Sequence, residues 1–192
     1  MWEIKISELL YHPNTILGTI FDSIGEMPAL LPIIYFAFII GGIIFKNKNV
    51  LGRKRELLSF SCYLICVLIL SVTVVATTKN LWGRTRFCDL TPPLYDGYTP
   101  FYVFGNGGNS FPSGHASMSS LSFLLVDANE KHPLFSKKTP FVFAFLFTLL
   151  VCISRLTEGA HFITDVVAGV IVTLTARLVL KRLFFRKLLT SS

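Results

Sequence analysis

Apolar residues in this chain come in long unbroken runs rather than in alternation. Five runs stand out, at about Pro28 to Phe45, Leu57 to Thr78, Ser113 to Val126, Pro140 to Ile153 and Phe162 to Leu180. A bilayer core of about 30 Å takes about 20 helical residues, so each run reads as a membrane span or nearly one. The third is short and rich in Ser and Ala, which predicts that its neighbours shield it from lipid. The stretch Trp2 to Glu26 mixes Ile4, Ile6, Leu9, Leu10, Ile16, Leu17, Ile20 and Phe21 with Glu3, Lys5, Glu8 and Asp22. It predicts one or two interfacial amphipathic helices, broken near Pro13. A sixth, degenerate span is the alternative, and it would put the N-terminus in the cytoplasm. The expected fold is therefore all-α, a polytopic membrane helical bundle of five spans plus an N-terminal interfacial segment, in one domain over residues 1–192. No internal repeat or low-complexity stretch interrupts it. Residues 89–108 are rich in Pro, Gly, Tyr and Phe and lead into Asn106-Gly107-Gly108-Asn109. They predict an ordered outer loop, with residues 79–112 carrying part of a site.

Charge refines this picture. The 192 residues are 52% hydrophobic and carry a net charge of +7. The basic residues cluster at Lys46 to Arg55, Lys131 to Lys138 and Arg177 to Lys187, each beside an apolar run. That is the positive-inside pattern of a multi-span protein, not a nucleic-acid footprint. Placing the three clusters in the cytoplasm puts residues 79–112 and 154–161 together on the outer face. Cys62, Cys66 and Cys152 lie in apolar runs and are expected to be small buried hydrophobes, while Cys88 sits in a loop. Neither a disulfide framework nor a zinc-binding spacing is implied. Met1 to Glu8 does not read as a cleavable signal peptide.

Ionisable residues gather at the outer ends of the runs, where they are costly and usually functional. His161 and Asp165 are four apart at the start of the last run, so a helix puts them on one face. A carboxylate bonded to one ring nitrogen would fix the tautomer and leave the other as a nucleophile or base. A helix-capping pair is the plainer alternative. Pro112-Ser113-Gly114-His115 opens the third run. Pro suits a first helical turn, Gly114 lets a ligand approach the backbone, and free N–H groups at a helix start favour a phosphate oxygen. Ser113 adds a hydroxyl, and a protonated His115 is a potential proton donor to a leaving oxygen. An N-cap followed by a packing histidine is the alternative here. Lys79, Arg86 and Arg155 would supply charge and forked donors to phosphoryl oxygens. Arg84 lies nearby and reads as an interfacial, snorkelling side chain.

Together these residues resemble the type 2 phosphatidic acid phosphatase superfamily. That family carries Lys, six residues, then Arg-Pro; here the stretch is Lys79-Asn-Leu-Trp-Gly-Arg-Thr-Arg86, followed by Phe87 instead of Pro. Its Pro-Ser-Gly-His is intact at Pro112 to His115. Its Ser-Arg, five residues, His, three residues, Asp is intact from Ser154 to Asp165. The resemblance implies that His161 attacks phosphorus to form a phosphohistidine, that Asp165 orients it, and that His115 is the general acid and then base. It implies that Lys79, Arg86, Ser113, the Gly114 N–H and Arg155 hold the phosphoryl oxygens, with no metal or other cofactor. The expected partners are a membrane lipid phosphate and the bilayer itself, with no nucleic acid and no obligate protein partner. The implied location is the bacterial cytoplasmic (inner) membrane, with the site facing the periplasm or exterior. Candidate substrates are lipid A, phosphatidylglycerol phosphate, undecaprenyl pyrophosphate and phosphatidic acid. Tyr98-Thr99-Pro100-Phe101 with Asn109-Ser110-Phe111-Pro112 is similar to the loop pattern of bacterial lipid A phosphatases. The rival readings are a lipid phosphotransferase using the same phosphohistidine, and a non-enzymatic transporter or scaffold. Vanadium haloperoxidases share the motifs but are soluble.

Overall fold

The computed structural model describes residues 2–92, 95–105 and 107–189. Among them are nine α-helices and no strand: α1 (Trp2–Leu10), α2 (Ile16–Ile24), α3 (Leu30–Ile44), α4 (Lys48–Gly52), α5 (Lys54–Trp82), α6 (Gly114–Ser120), α7 (Leu124–Lys131), α8 (Lys138–Thr157) and α9 (Ile163–Leu189). The chain is thus an all-α membrane bundle. Four stretches are long and apolar enough to cross a bilayer, Ile16–Ile44, Lys54–Asp89, Lys138–Thr157 and Ile163–Phe185. Their outward faces are apolar, as at Phe38, Ile69, Phe143 and Ile171, which suits lipid rather than water.

The N-terminal region differs from expectation at one boundary. The break near Pro13 is present, and α2 starts cleanly because Thr15 Oγ1 accepts from Gly18 N. Glu26 to Pro28, however, is no boundary. A single 3₁₀ turn, Met27–Ala29, carries α2 into α3, and Pro28 fits there because an early helical N–H needs no partner. Helix α2 lies against α8. Helix α1 turns Glu3 and Ser7 inward and leaves Trp2 and Leu9 exposed.

The third expected span is a bent helical run: α6, a 3₁₀ turn at Leu121–Phe123, then α7. It is walled by α5, α8 and α9, and Ala116 to Ser120 are all buried. The run extends to Lys131, past the expected end at Val126. Asp127 does not stop it, because that carboxylate accepts from Tyr63 Oη, Arg177 Nε and Lys181 Nζ at 2.7, 2.7 and 2.8 Å. Small residues let α6 and α9 approach closely. A Cβ on Gly169 would lie 3.2 Å from both Ala116 Cβ and Ser117 N. The Ser117 and Thr173 hydroxyls, 2.7 Å apart, bond across the same contact. Phe60, Tyr63, Leu64 and Val67 of α5 pack with Met118, Leu121 and Leu124 to form the main apolar core. Cys62 is exposed on the outside of α5 and Cys66 and Cys152 are only partly buried, so these are not the fully buried packing thiols that their apolar surroundings predicted. The end of α5, the start of α6, the end of α8 and the start of α9 converge at one end of the bundle.

Candidate active site

His161 sits in the turn before α9 and Asp165 in that helix's first turn. Both are buried, but they do not bond directly, since Nδ1 and Oδ2 are 3.8 Å apart. The ring's direct partner is the carbonyl oxygen of Ser110, 2.8 Å from Nδ1. A carbonyl only accepts, so Nδ1 carries the proton and Nε2 keeps its lone pair. Ser110 also donates its hydroxyl to Asp165 Oδ2 at 2.5 Å. Asp165 therefore reaches the imidazole through Ser110 and through charge. Burial holds the imidazole below its ordinary pKa range. The charges of Lys79 and Arg86 push the same way, against the pull of Asp165.

Those two cations form the open part of the site. Lys79 is in the last turn of α5, which Gly83 closes with φ 61°, its N–H bonded to Lys79 O at 3.2 Å. A Cβ on Gly114 would lie 3.9 Å from Lys79 Nζ, so the lysine stands at the mouth of α6. Arg86 follows in extended backbone, and its Nε is buried without a partner. Ser113 caps α6, its Oγ accepting from Ala116 N at 3.3 Å, which leaves its own hydroxyl proton free to donate. The Ser113 N–H bonds Asp165 O at 2.9 Å and ties this loop to α9. Phe87, where the family has Pro, is a packing residue: it is buried against Leu90 and Phe162.

Arg155 and His115 are less free than their motifs foretell. Arg155 is ion-paired with Asp22 of α2, and its Nη2 donates to Gly18 O at 3.1 Å. Its Nε donates to Ser154 Oγ at 3.3 Å. His115 Nε2 lies 3.4 Å from Asp22 Oδ1, and its Nδ1 lies 3.5 Å from Glu26 Oε1. Two carboxylates from the N-terminal region thus border the site.

The largest correction concerns Arg84. It is fully buried, not snorkelling. Its Nη1 meets Asp165 Oδ1 at 2.5 Å and its Nη2 meets Glu3 Oε2 at 2.8 Å. Its Nε donates to Thr99 O at 2.8 Å, and the guanidinium lies 4.1 Å from the Phe162 ring centroid. Glu3 also accepts from Tyr98 Oη at 2.7 Å and Thr164 Oγ1 at 2.5 Å. One arginine therefore joins α1, the outer loop and the aspartate of α9. Motif spacing gave no sign of Glu3, Ser110 or Asp22. The available signal for Arg84 and Glu3 was charge placed against apolar sequence, which must find an opposite partner when buried. Among the described residues no group of three or more His, Cys, Asp and Glu side chains forms a metal-binding cluster.

The sequence matches the model of the PAP2 superfamily over residues 60–188. No curated protein matches it. The fold is similar to the crystal structure of Aquifex aeolicus LpxE, with a TM-score of 0.57 and 20% identity, covering 93% of this chain and 92% of that one. With two thirds of its length inside the family match and all three motif stretches meeting at one end of the bundle, this chain belongs to the PAP2 superfamily.

Proposed function

We propose that this protein is a phosphatase that removes phosphate from a membrane lipid monoester or pyrophosphate through a phosphohistidine on His161. One observation carries the reading. His161 presents an unprotonated Nε2 beside two cations, and one of these, Arg86, has a buried donor with no partner. A buried unpaired donor is costly unless a ligand completes it, and a phosphoryl oxygen would do so.

In the first step the Nε2 lone pair forms a bond to phosphorus and the bond from phosphorus to the lipid-side oxygen breaks. His115 gives its proton to that oxygen. Lys79, Arg86, the Ser113 hydroxyl and the Gly114 N–H hold the three other oxygens, with the α6 N-terminus adding partial positive charge. Arg155 has two N–H groups beyond its three protein bonds with which to join them. In the second step water attacks phosphorus, the P–N bond breaks, His115 takes the water's proton, and inorganic phosphate leaves. Asp165, Ser110 and Arg84 hold the imidazole in its Nδ1–H tautomer throughout. The fixed cations and helix N–H groups supply the electrostatic work that metal ions do elsewhere.

The basic clusters all fall at the opposite end, which supports placing the site at the outer face of a bacterial inner membrane. Lipid A is the favoured headgroup among the four candidates, on the loop pattern around Tyr98 and Asn109. The test is phosphate release from a panel of purified lipid phosphates and pyrophosphates in excess EDTA, by the natural protein and by His161→Ala. Release by the former and none by the latter is expected. Strict metal dependence would overturn the mechanism.

A further inference from the structure

The end of the bundle away from the site holds a cavity with unfinished polar chemistry. It has a volume of about 770 Å³ and lies between α3, α4 and the end of α7, lined by Tyr35, Ile39, Lys48, Val50, Arg53 and His132 among others. A second cavity of about 540 Å³ shares Tyr35 and His132 and is otherwise mostly apolar, lined by Leu125, Leu134, Phe135, Pro140 and Phe143, with Asn129 and Thr139 also in its wall. Two polar atoms in the wall common to both, Tyr35 Oη and His132 Nε2, are buried without a hydrogen-bond partner. No other buried side-chain polar atom at this end of the bundle is in that state among the described residues. The polar mouth is basic, since Lys48 and Arg53 line it, and Lys46, Lys54 and Arg55 flank them in sequence with Glu56 as the one carboxylate between 46 and 56. Glu56 is already taken by Arg53 at 2.9 Å and Lys131 at 3.2 Å. Lys48 has no carboxylate partner among the described residues.

We propose that this double cavity binds one anionic diacyl phospholipid of the leaflet opposite the active site. The three parts of the cavity match the three parts of such a molecule. Its phosphate meets Lys48 and the rim of basic side chains. At the depth of the glycerol esters it offers carbonyl acceptors for the Tyr35 hydroxyl and for His132 in its Nε2–H tautomer. An acyl chain fills the apolar cavity beyond. A detergent tail or a free phosphate satisfies only one of these parts. The site involves none of the phosphoryl-binding residues, so it stands whether or not the proposed reaction is right.

The experiment is native mass spectrometry of the full chain, delipidated in detergent and titrated separately with phosphatidylglycerol and phosphatidylcholine. One phosphatidylglycerol per chain is expected at concentrations where phosphatidylcholine leaves no adduct. Tyr35→Phe with His132→Leu should weaken that binding by roughly five-fold per hydrogen bond removed. Lys48→Gln should narrow the difference between the two lipids, and His161→Ala should bind as the natural protein does. Equal adducts from both lipids would reduce the cavity to ordinary lipid contact and overturn the proposal. So would full retention by the Tyr35→Phe/His132→Leu protein, or loss of binding in His161→Ala, which would put the lipid in the active site.

Discussion

The bundle buries charge at both ends, and the two ends handle it differently. At the basic end, Asp127 is met by Tyr63, Arg177 and Lys181 through four hydrogen bonds, two to each carboxylate oxygen. At the site end, Asp165 is equally well met, by Arg84, Ser110 and the Phe162 N–H, but the charges around it are left over. Lys79 has no carboxylate partner among the described residues, and Arg86 Nε has no partner at all. A closed network fixes helices against each other. The two cations left open here are, on the proposed mechanism, those that take the phosphoryl oxygens. The difference between a structural and a functional cluster therefore lies in the unpaired remainder, not in the residue types.

Substitutions should separate the two ends. His161→Ala should lower phosphate release by at least about a thousand-fold while leaving the protein folded in detergent. Activity above a few per cent would remove His161 as the nucleophile. Asp127→Ala should do the reverse. Arg177, mostly buried, would lose its carboxylate while Lys181 keeps Glu130, at a cost of about 3 kcal/mol in stability, while turnover per folded molecule stays the same. Thermal denaturation read beside activity checks both halves, and a loss of turnover without a loss of stability would break the contrast. Arg84→Gln falls between, because it unpairs Asp165 and Glu3 together. It should cut turnover by about a hundred-fold and also lower the melting temperature. Rescue of turnover but not stability by Arg84→Lys would show that charge on Asp165 matters more than the fork.

The smallest effect is in pH. Burial holds the His161 pKa below 6.5, so the imidazole is the free base at neutral pH. The acid limb of kcat/KM should have its midpoint below 6.5 and should move upward in Arg86→Gln, where one repelling charge is gone. The linked stability is present in full above about pH 6.5 and is lost as pH falls from there towards the lowered folded-state value. An acid limb at or above 6.5 in the natural protein would show that His161 is not held in this way.

Much of the site was legible because its residues lie close in sequence. His161 and Asp165 are one helical turn apart, and Pro112 to His115 sit together at a helix start. The apolar runs gave the bundle and the enclosed third helix. What escaped the reading was long-range pairing. Asp127 looked like the end of a span because its cations lie 50 and 54 residues further on. Arg84 looked like a surface residue because Glu3 lies 81 residues before it and Asp165 lies 81 after. The expected direct bond from Asp165 to His161 is replaced by Ser110, whose position no spacing rule reports. Asn109 and Ser110 drew notice only as part of a loop pattern, and Asn106 lies outside the described residues.

Glu3 belongs to a helix that precedes the family match, yet through one guanidinium it grips the aspartate beside the proposed nucleophile, His161. On the proposed mechanism, removing residues 2–10 should therefore lower turnover as well as stability.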